Sequence, residues 1–351
     1  MKLLVFSGLS DEKLISKISP ILSLEKIEKV YLVRNSSFSF KKVISINPPF
    51  FLNILLIREI IKFLFGFYVC LFKKIDYVIG IFLFPHGIFA HVIGKIFKKP
   101  IIQLFVGKDV DLITKHRNIF KSLLKNAKYI GVRGNNSKRI LNEIIKKEEL
   151  FFIQRNVYSF LNPPDPEAPR LKDIDIIYVA HFDDYKRIDV FLKVISRIKE
   201  KYPYIKAALV GKDVRKGRTF YEKMRKELGL EENIRFPGYV ENVYSYLDQS
   251  KIFLMTSESE GLPMSMIEAM NAGLPCVVPN VGDISDIAEN NYNAFLVEPL
   301  DVAGFVSRTI QLLEDKNLCR KMSQNALDTI RKKGEEFSVQ YNKKIWDNIL
   351  G

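Results

Sequence analysis

The sequence predicts an α/β protein of two doubly wound, parallel-sheet domains, and three observations carry that expectation. Short apolar runs recur along the chain with helix-patterned stretches between them, the rhythm of βα units whose strands are buried on both faces. One Pro-rich segment, Ser159-Phe160-Leu161-Asn162-Pro163-Pro164-Asp165-Pro166-Glu167-Ala168-Pro169, interrupts the series and reads as an extended linker. At 351 residues the chain exceeds what one core usually holds.

Taken in order, residues 3–6, 30–33, 77–84, 101–105, 129–132 and 151–153 read as buried strands of a first domain spanning 1–158. The linker covers 159–173. Strands at 175–180, 206–211, 234–236, 252–256, 275–278 and 294–297 build a second domain over 174–332. A last helical stretch, 333–351, carries the sole tryptophan, Trp346. The apolar run at 3–6 is too short for a secretion signal and suits a first buried strand.

Composition narrows the function. Cys70, Cys276 and Cys319 are odd in number, widely spaced and mostly in apolar contexts, which points to reduced thiols, a cytoplasmic setting and neither a disulfide framework nor a zinc site. The net charge of +14 is uneven: residues 1–160 hold 27 Lys and Arg against 11 Asp and Glu, and the remainder is slightly acidic. Nucleic acid is an unsuitable partner, because the lysines come in pairs between apolar helical positions and no recognition-module pattern is present. Residues 50–72 are long and apolar, but Arg58, Glu59 and Lys62 near the middle argue against a transmembrane span. Two readings stay open for this segment: a helix buried in the first domain, or one whose Phe- and Leu-rich face meets an anionic membrane surface.

The most informative stretch is Glu260-Gly261-Leu262-Pro263-Met264-Ser265-Met266-Ile267-Glu268, followed by Ala269-Met270-Asn271-Ala272-Gly273-Leu274-Pro275. Pro263 suits the first position of a helix and Gly273 with Pro275 its stop, so a helix of about two to three turns is expected to begin just after Gly261. Its unpaired N–H groups and positive dipole end make the corner from Gly261 to Ser265 a place to hold a phosphate. Glu268 falls about one turn further in, where a carboxylate can accept both hydroxyls of a ribose.

Glu260, Gly261, Pro263, Glu268, Ala269, Gly273, Pro275 and Gly282 together closely resemble the donor segment of the retaining, nucleotide-sugar-dependent glycosyltransferases of family 4 (glycosyl transferases group 1). The strong match runs from about 234 to 300, with weaker likeness over nearly all the rest. The resemblance implies the GT-B fold, two Rossmann-like domains facing across a cleft, with a C-terminal helix crossing back to the first domain. It implies a nucleoside-diphosphate sugar donor, a UDP-sugar by preference, and a carbohydrate, lipid-linked or protein hydroxyl acceptor. The donor is a substrate, so no cofactor and no metal is expected.

Carried over residue by residue, the resemblance places Lys186 on the donor diphosphate and Glu260 on the sugar; His181 stands where the family has arginine and Ala180 where it has glycine. Arg187 is an alternative second cation. Gly211 falls in a loop near the nucleotide, Tyr239 and Val240 at the base, and Leu262, Pro263, Met264 and Ser265 along the diphosphate. In the first domain Gly8 marks a close-approach loop facing the donor phosphate, and Gly107 and Asp109 match an acceptor-side loop whose family histidine is here Val106. His86, at a strand end, is the nearest replacement and is counted with Glu260 and Lys186 as a catalytic candidate. Asp109-Val110-Asp111 also permits a rival reading as the metal-binding pair of GT-A enzymes, which the two-domain pattern disfavours. Two further functions remain open, a GT-B nucleotide-sugar epimerase and a catalytically silent partner subunit.

Overall fold

A computed structural model describes residues 1–49, 54–107, 109–158, 172–213 and 217–351. The Pro-rich linker expected at 159–173 therefore lies almost wholly outside the described residues. The chain divides into two compact units, Met1–Ser159 with Glu335–Gly351, and Phe160–Gly334.

Unit 1 runs β1 (Lys2–Phe6), α1 (Asp11–Leu22), β2 (Lys29–Val33), β3 (Val43–Ile46), α2 (Leu55–Phe72), β4 (Tyr77–Ile81), α3 (Ile88–Ile96), β5 (Ile101–Leu104), α4 (Asp109–Lys115), α5 (Arg117–Leu124), β6 (Tyr129–Val132), α6 (Asn135–Ile145) and β7 (Phe151–Ile153). Its seven strands are all parallel in the order β3-β2-β1-β4-β5-β6-β7. Strand β3 was not expected from sequence. It is a four-residue edge strand, only partly buried and followed by Pro48-Pro49, so it lacks the continuous apolar run of a central strand. The strand expected over 77–84 ends at Ile81, because Phe82 takes a positive φ of 69° and residues Leu83–Gly87 form an irregular helical turn. The C-terminal segment of unit 1 buries Trp346 edge-on against Phe152 at 5.3 Å between ring centroids. Burying so large a side chain ties this helix firmly to the core beside α1.

Unit 2 runs β8 (Ile174–Val179), α7 (Ile188–Lys201), β9 (Ala207–Val210), α8 (Gly217–Glu227), β10 (Ile234–Gly238), α9 (Tyr244–Leu247), β11 (Ser250–Leu254), α10 (Met264–Asn271), β12 (Cys276–Pro279), β13 (Ala294–Val297), α11 (Val302–Glu314) and α12 (Lys316–Lys333). The remaining helix, α13 (Val339–Leu350), is the one that carries Trp346 into unit 1. The six strands of unit 2 are parallel in the order β10-β9-β8-β11-β12-β13. Each sheet reverses its winding once. The reversal falls between β1 and β4 in unit 1 and between β8 and β11 in unit 2. In open α/β sheets the crevice at the carboxyl ends of such a strand pair is where ligands sit.

Candidate active site

In unit 2 the two loops at the reversal carry Lys186 and Glu260. After β8 the chain passes Ala180 and exposed His181, then makes a turn over Asp184–Lys186, with the Asp183 carboxylate accepting from the Asp184 N–H at 2.9 Å. Lys186 Nζ donates to Glu260 Oε1 at 2.5 Å, and both side chains are about nine-tenths buried, at 12 % and 9 % exposure. Burial works against the charge on Lys186, but the Glu260 carboxylate, with Tyr178 and Tyr185, outweighs it and holds the ammonium above its usual pKa. The loop after β8 therefore keeps a protonated lysine paired with Glu260.

The backbone under this pair is fastened by residues that the sequence did not single out. Buried Tyr178 donates its hydroxyl to the Lys186 carbonyl at 3.0 Å, and Ser257 Oγ lies 2.7 Å from that hydroxyl. Thr256 Oγ1 donates to the Arg187 carbonyl at 3.0 Å. Burial foremost raises the Tyr178 pKa well above the usual range, so the phenol stays a donor. Tyr178 is a polar residue inside the apolar run at 174–179, and Thr256-Ser257 lies one residue past the end of β11; a tyrosine in a buried strand needs a partner for its hydroxyl, and that is the available signal.

On the other side, the Asp283 N–H donates to the Gly261 carbonyl at 3.0 Å, and Gly282 adopts φ +56° with no room for a side chain. A Cβ there would lie 2.0 Å from the Glu260 carbonyl oxygen. The glycine thus permits the approach that places Glu260. Helix α10 is eight residues long, and Pro263 is its cap residue, at φ −74° and ψ 122°, not its first helical residue as expected. The difference is one position, since the extended ψ of Pro263 keeps it outside the helix. Gly261, Leu262 and Pro263 are buried, while Met264, Ser265 and Glu268 are partly exposed. The N–H groups of Met264, Ser265 and Met266 have no acceptor within the helix they begin. Gly273 ends α10 at φ +73°.

Neighbouring loops continue along the strand ends. A Cβ on Gly211, after β9, would lie 1.9 Å from the Ala180 carbonyl oxygen, so this glycine lets the β8 and β9 loops touch. Its N–H donates to the Gly238 carbonyl at 2.9 Å, which links it to the loop after β10, where Tyr239 is 63 % exposed and Val240 partly so. Arg187 does not offer an unused second cation. Its guanidinium donates twice to Asp189 at 2.9 Å and once to Glu258 at 3.1 Å, a fork already matched to carboxylates.

Unit 1 brings Gly8 and His86 together at its own reversal, after β1 and β4. A Cβ on Gly8 would lie 2.7 Å from His86 Cε1. His86 is buried, with Nε2 3.2 Å from the Lys62 Nζ, which in turn sits 2.6 Å from Glu59. Burial first, and then the Lys62 charge, push the His86 pKa down to about 3, so the ring is neutral and accepts from Lys62. Of the two ring nitrogens of this catalytic candidate, one accepts from Lys62 and the other is enclosed. Asp109 likewise faces inward, accepting from the Leu83 N–H at 3.1 Å and the Val106 N–H at 2.9 Å, and so ties the β4 loop to the β5 loop. Burial pushes its pKa up to about 6 against those two bonds. Gly107 beside it has φ +60° and open space around it. Among the described residues no group of three or more His, Cys, Asp or Glu is placed to hold a metal ion.

Two units, each built on a parallel, doubly wound sheet, place the chain in the GT-B class of α/β fold. Residues 163–329 match the model of the glycosyl transferases group 1. The chain is 29% identical to an uncharacterized glycosyltransferase of Haemophilus influenzae, over 57% of this chain and 56% of the relative. It is also 29% identical to N-acetyl-alpha-D-glucosaminyl L-malate synthase of Bacillus anthracis, over 49% of this chain and 45% of that protein. Its matches thus span about half the length of these relatives. The fold resembles that of Anabaena HepE in complex with UDP and glucose, with a TM-score of 0.77 at 14% identity, covering 100% of this chain and 99% of the other.

Proposed function

We propose that the chain is a retaining glycosyltransferase of family 4 that moves a hexosyl or N-acetylhexosaminyl group from a nucleoside-diphosphate sugar to a hydroxyl acceptor, in building a surface polysaccharide, glycolipid or glycan. The observation that carries this reading is the Lys186–Glu260 pair at the strand reversal beside the start of α10. Lys186 and the free N–H groups of α10 neutralise charge growing on the diphosphate as the glycosidic bond breaks. Glu260 binds sugar hydroxyls or supports the positive charge at the anomeric carbon, and Glu268 holds the ribose. The departing phosphate then takes the proton of the acceptor hydroxyl on the same face. Anabaena HepE was crystallised with UDP and with UDP-glucose, which supports a UDP-sugar as donor. Acceptor binding is assigned to unit 1, around Gly107 and Asp109, and Gly8 to the donor phosphate. Three free cysteines, two of them buried, support a reducing compartment such as the cytoplasm.

Incubation with a panel of UDP-sugars and hydroxyl acceptors, with the anomeric configuration of the product read by NMR, tests the proposal. A product with the donor's anomeric configuration is expected. Inversion at that centre overturns the retaining mechanism, sugar isomerisation with donor alone identifies an epimerase, and donor binding without turnover identifies a silent subunit.

A further inference from the structure

Helix α2 covers the sheet of unit 1 in an unusual orientation. Its inner side carries Lys62, which is fully buried, together with Gly66, Val69 and Cys70. Its outer side carries Leu56, Ile60, Leu64, Tyr68, Leu71 and Phe72, each at least half exposed, with Leu56 at 70 %. These six fall at helical spacing on one stripe. The orientation is fixed from inside. Lys62 is held by Glu59 at 2.6 Å and His86 at 3.2 Å, and a Cβ on Gly66 would lie 2.1 Å from the Phe6 ring, so turning the leucines inward breaks the Lys62–His86 contact and replaces the one small residue that fits against Phe6 with a larger one.

The surroundings say what this face fits. Helix α3 packs alongside through Phe67 against Phe97 and Phe63 against Phe89, and it adds exposed Val92 and Ile96. Lys73 and Lys74 follow α2, and Lys95 and Lys98 close α3; all four are exposed. The acids between 54 and 100 are Glu59, held by Lys62, and Asp76, which accepts from the Lys2 N–H at 2.7 Å. A broad apolar stripe ending in uncompensated lysines, with a tyrosine within it, is the chemistry that an anionic lipid surface recognises. No helix among the described residues is long and apolar enough to cross a membrane.

We propose that unit 1 docks on an anionic bilayer through the outer face of α2, with that helix lying in the plane of the interface. The leucines enter the acyl boundary while Lys73, Lys74, Lys95 and Lys98 meet the headgroups. This docking is independent of the transfer reaction proposed above, since it needs neither donor nor acceptor.

Flotation of the full chain with vesicles of phosphatidylcholine alone and of phosphatidylcholine with phosphatidylglycerol tests it. Strong binding is expected only to the anionic vesicles, weakened at high salt. Leu64→Glu with Leu71→Glu is expected to lower the partition coefficient at least tenfold, as an order of magnitude, and Lys73→Gln with Lys74→Gln roughly thirtyfold. Far-UV circular dichroism and a cooperative unfolding curve establish that each variant is folded; because both sites are exposed, the lysine pair keeps the test valid if the glutamate pair does not fold. Unchanged vesicle binding by folded variants overturns the proposal. So does a wild-type protein that ignores vesicles but is a dimer dissociated by Leu64→Glu, which makes the face a contact between copies of this chain.

Discussion

Lys186 Nζ and Glu260 Oε1 meet at 2.5 Å across the strand reversal of unit 2, joining two loops 74 residues apart in the chain. The pair has a structural part as well as its proposed chemical one. Removing one partner leaves the other charge buried, so Lys186→Met is expected to destabilise unit 2 by about 3 kcal/mol, the range for a broken buried pair. The double variant with Glu260→Gln is expected to recover part of that loss, and urea unfolding of both single variants and the double variant measures the coupling.

The same pair divides binding from turnover. Lys186→Ala is expected to weaken nucleoside-diphosphate binding by about 1.5–3 kcal/mol, as for a hydrogen bond to a charged group. Glu268→Ala is expected to weaken it as well, whereas Glu260→Ala spares it and lowers sugar transfer. Calorimetric titration with UDP beside turnover of the intact donor separates the roles. A Glu260→Ala protein that no longer binds UDP, beside normal binding by the other two, reverses the assignment.

Gly282 is expected to tolerate no side chain. Its φ of +56° and the 2.0 Å approach of a Cβ to the Glu260 carbonyl oxygen mean that Gly282→Ala must displace the loop holding Glu260. Loss of transfer with retained cooperative unfolding is the expected result. Wild-type activity in Gly282→Ala would show that the position of Glu260 is not critical.

Acid should destabilise unit 1 through its buried histidines. Burial lowers the His91 pKa to about 4 in the fold, and burial with the Lys62 charge lowers that of His86 to about 3. Both are near 6.5 when unfolded, so the unfolded chain binds more protons below that pH. Their stabilisation is complete above about pH 6.5 and is lost as pH falls toward the folded values, by roughly 1.4 kcal/mol per pH unit for each. Asp109, raised to about 6, acts oppositely between its unfolded value and that pH, and offsets one histidine there. Stability from urea curves is therefore expected to fall between pH 7 and 5, less steeply in His91→Phe. A flat profile would contradict the buried neutral rings.

Asp109 is expected to act as a tie between loops and not as a metal ligand, because its two oxygens already accept from the Leu83 and Val106 N–H groups. Chelation with EDTA should leave the transfer rate unchanged, while Asp109→Asn lowers the melting temperature with or without manganese. A rate lost on chelation and restored by manganese would reopen Asp109 and Asp111.

Much of the fold is legible in the sequence. The alternation of apolar runs with helical stretches identified twelve of the thirteen strands among the described residues, because a strand buried on both faces must be apolar throughout. Only the half-exposed edge strand Val43–Ile46 escaped, having one neighbour and no need for a continuous apolar run. The stretch from Glu260 to Gly273 marked the helix start and stop through local rules about Pro, Gly and unpaired N–H groups, which act within a few residues. What tertiary structure alone decided are relations between distant residues: that Lys186 reaches Glu260, that Arg187 is matched to Asp189 and Glu258, and that Lys62 buries itself against His86. Sequence periodicity reports how apolar each face of a helix is but not which neighbour it meets. For α2 that ambiguity was complete, since both faces are apolar; the side that turns inward is the one with Gly66, small enough to pack on Phe6, and Lys62, which finds Glu59 and His86 as partners there.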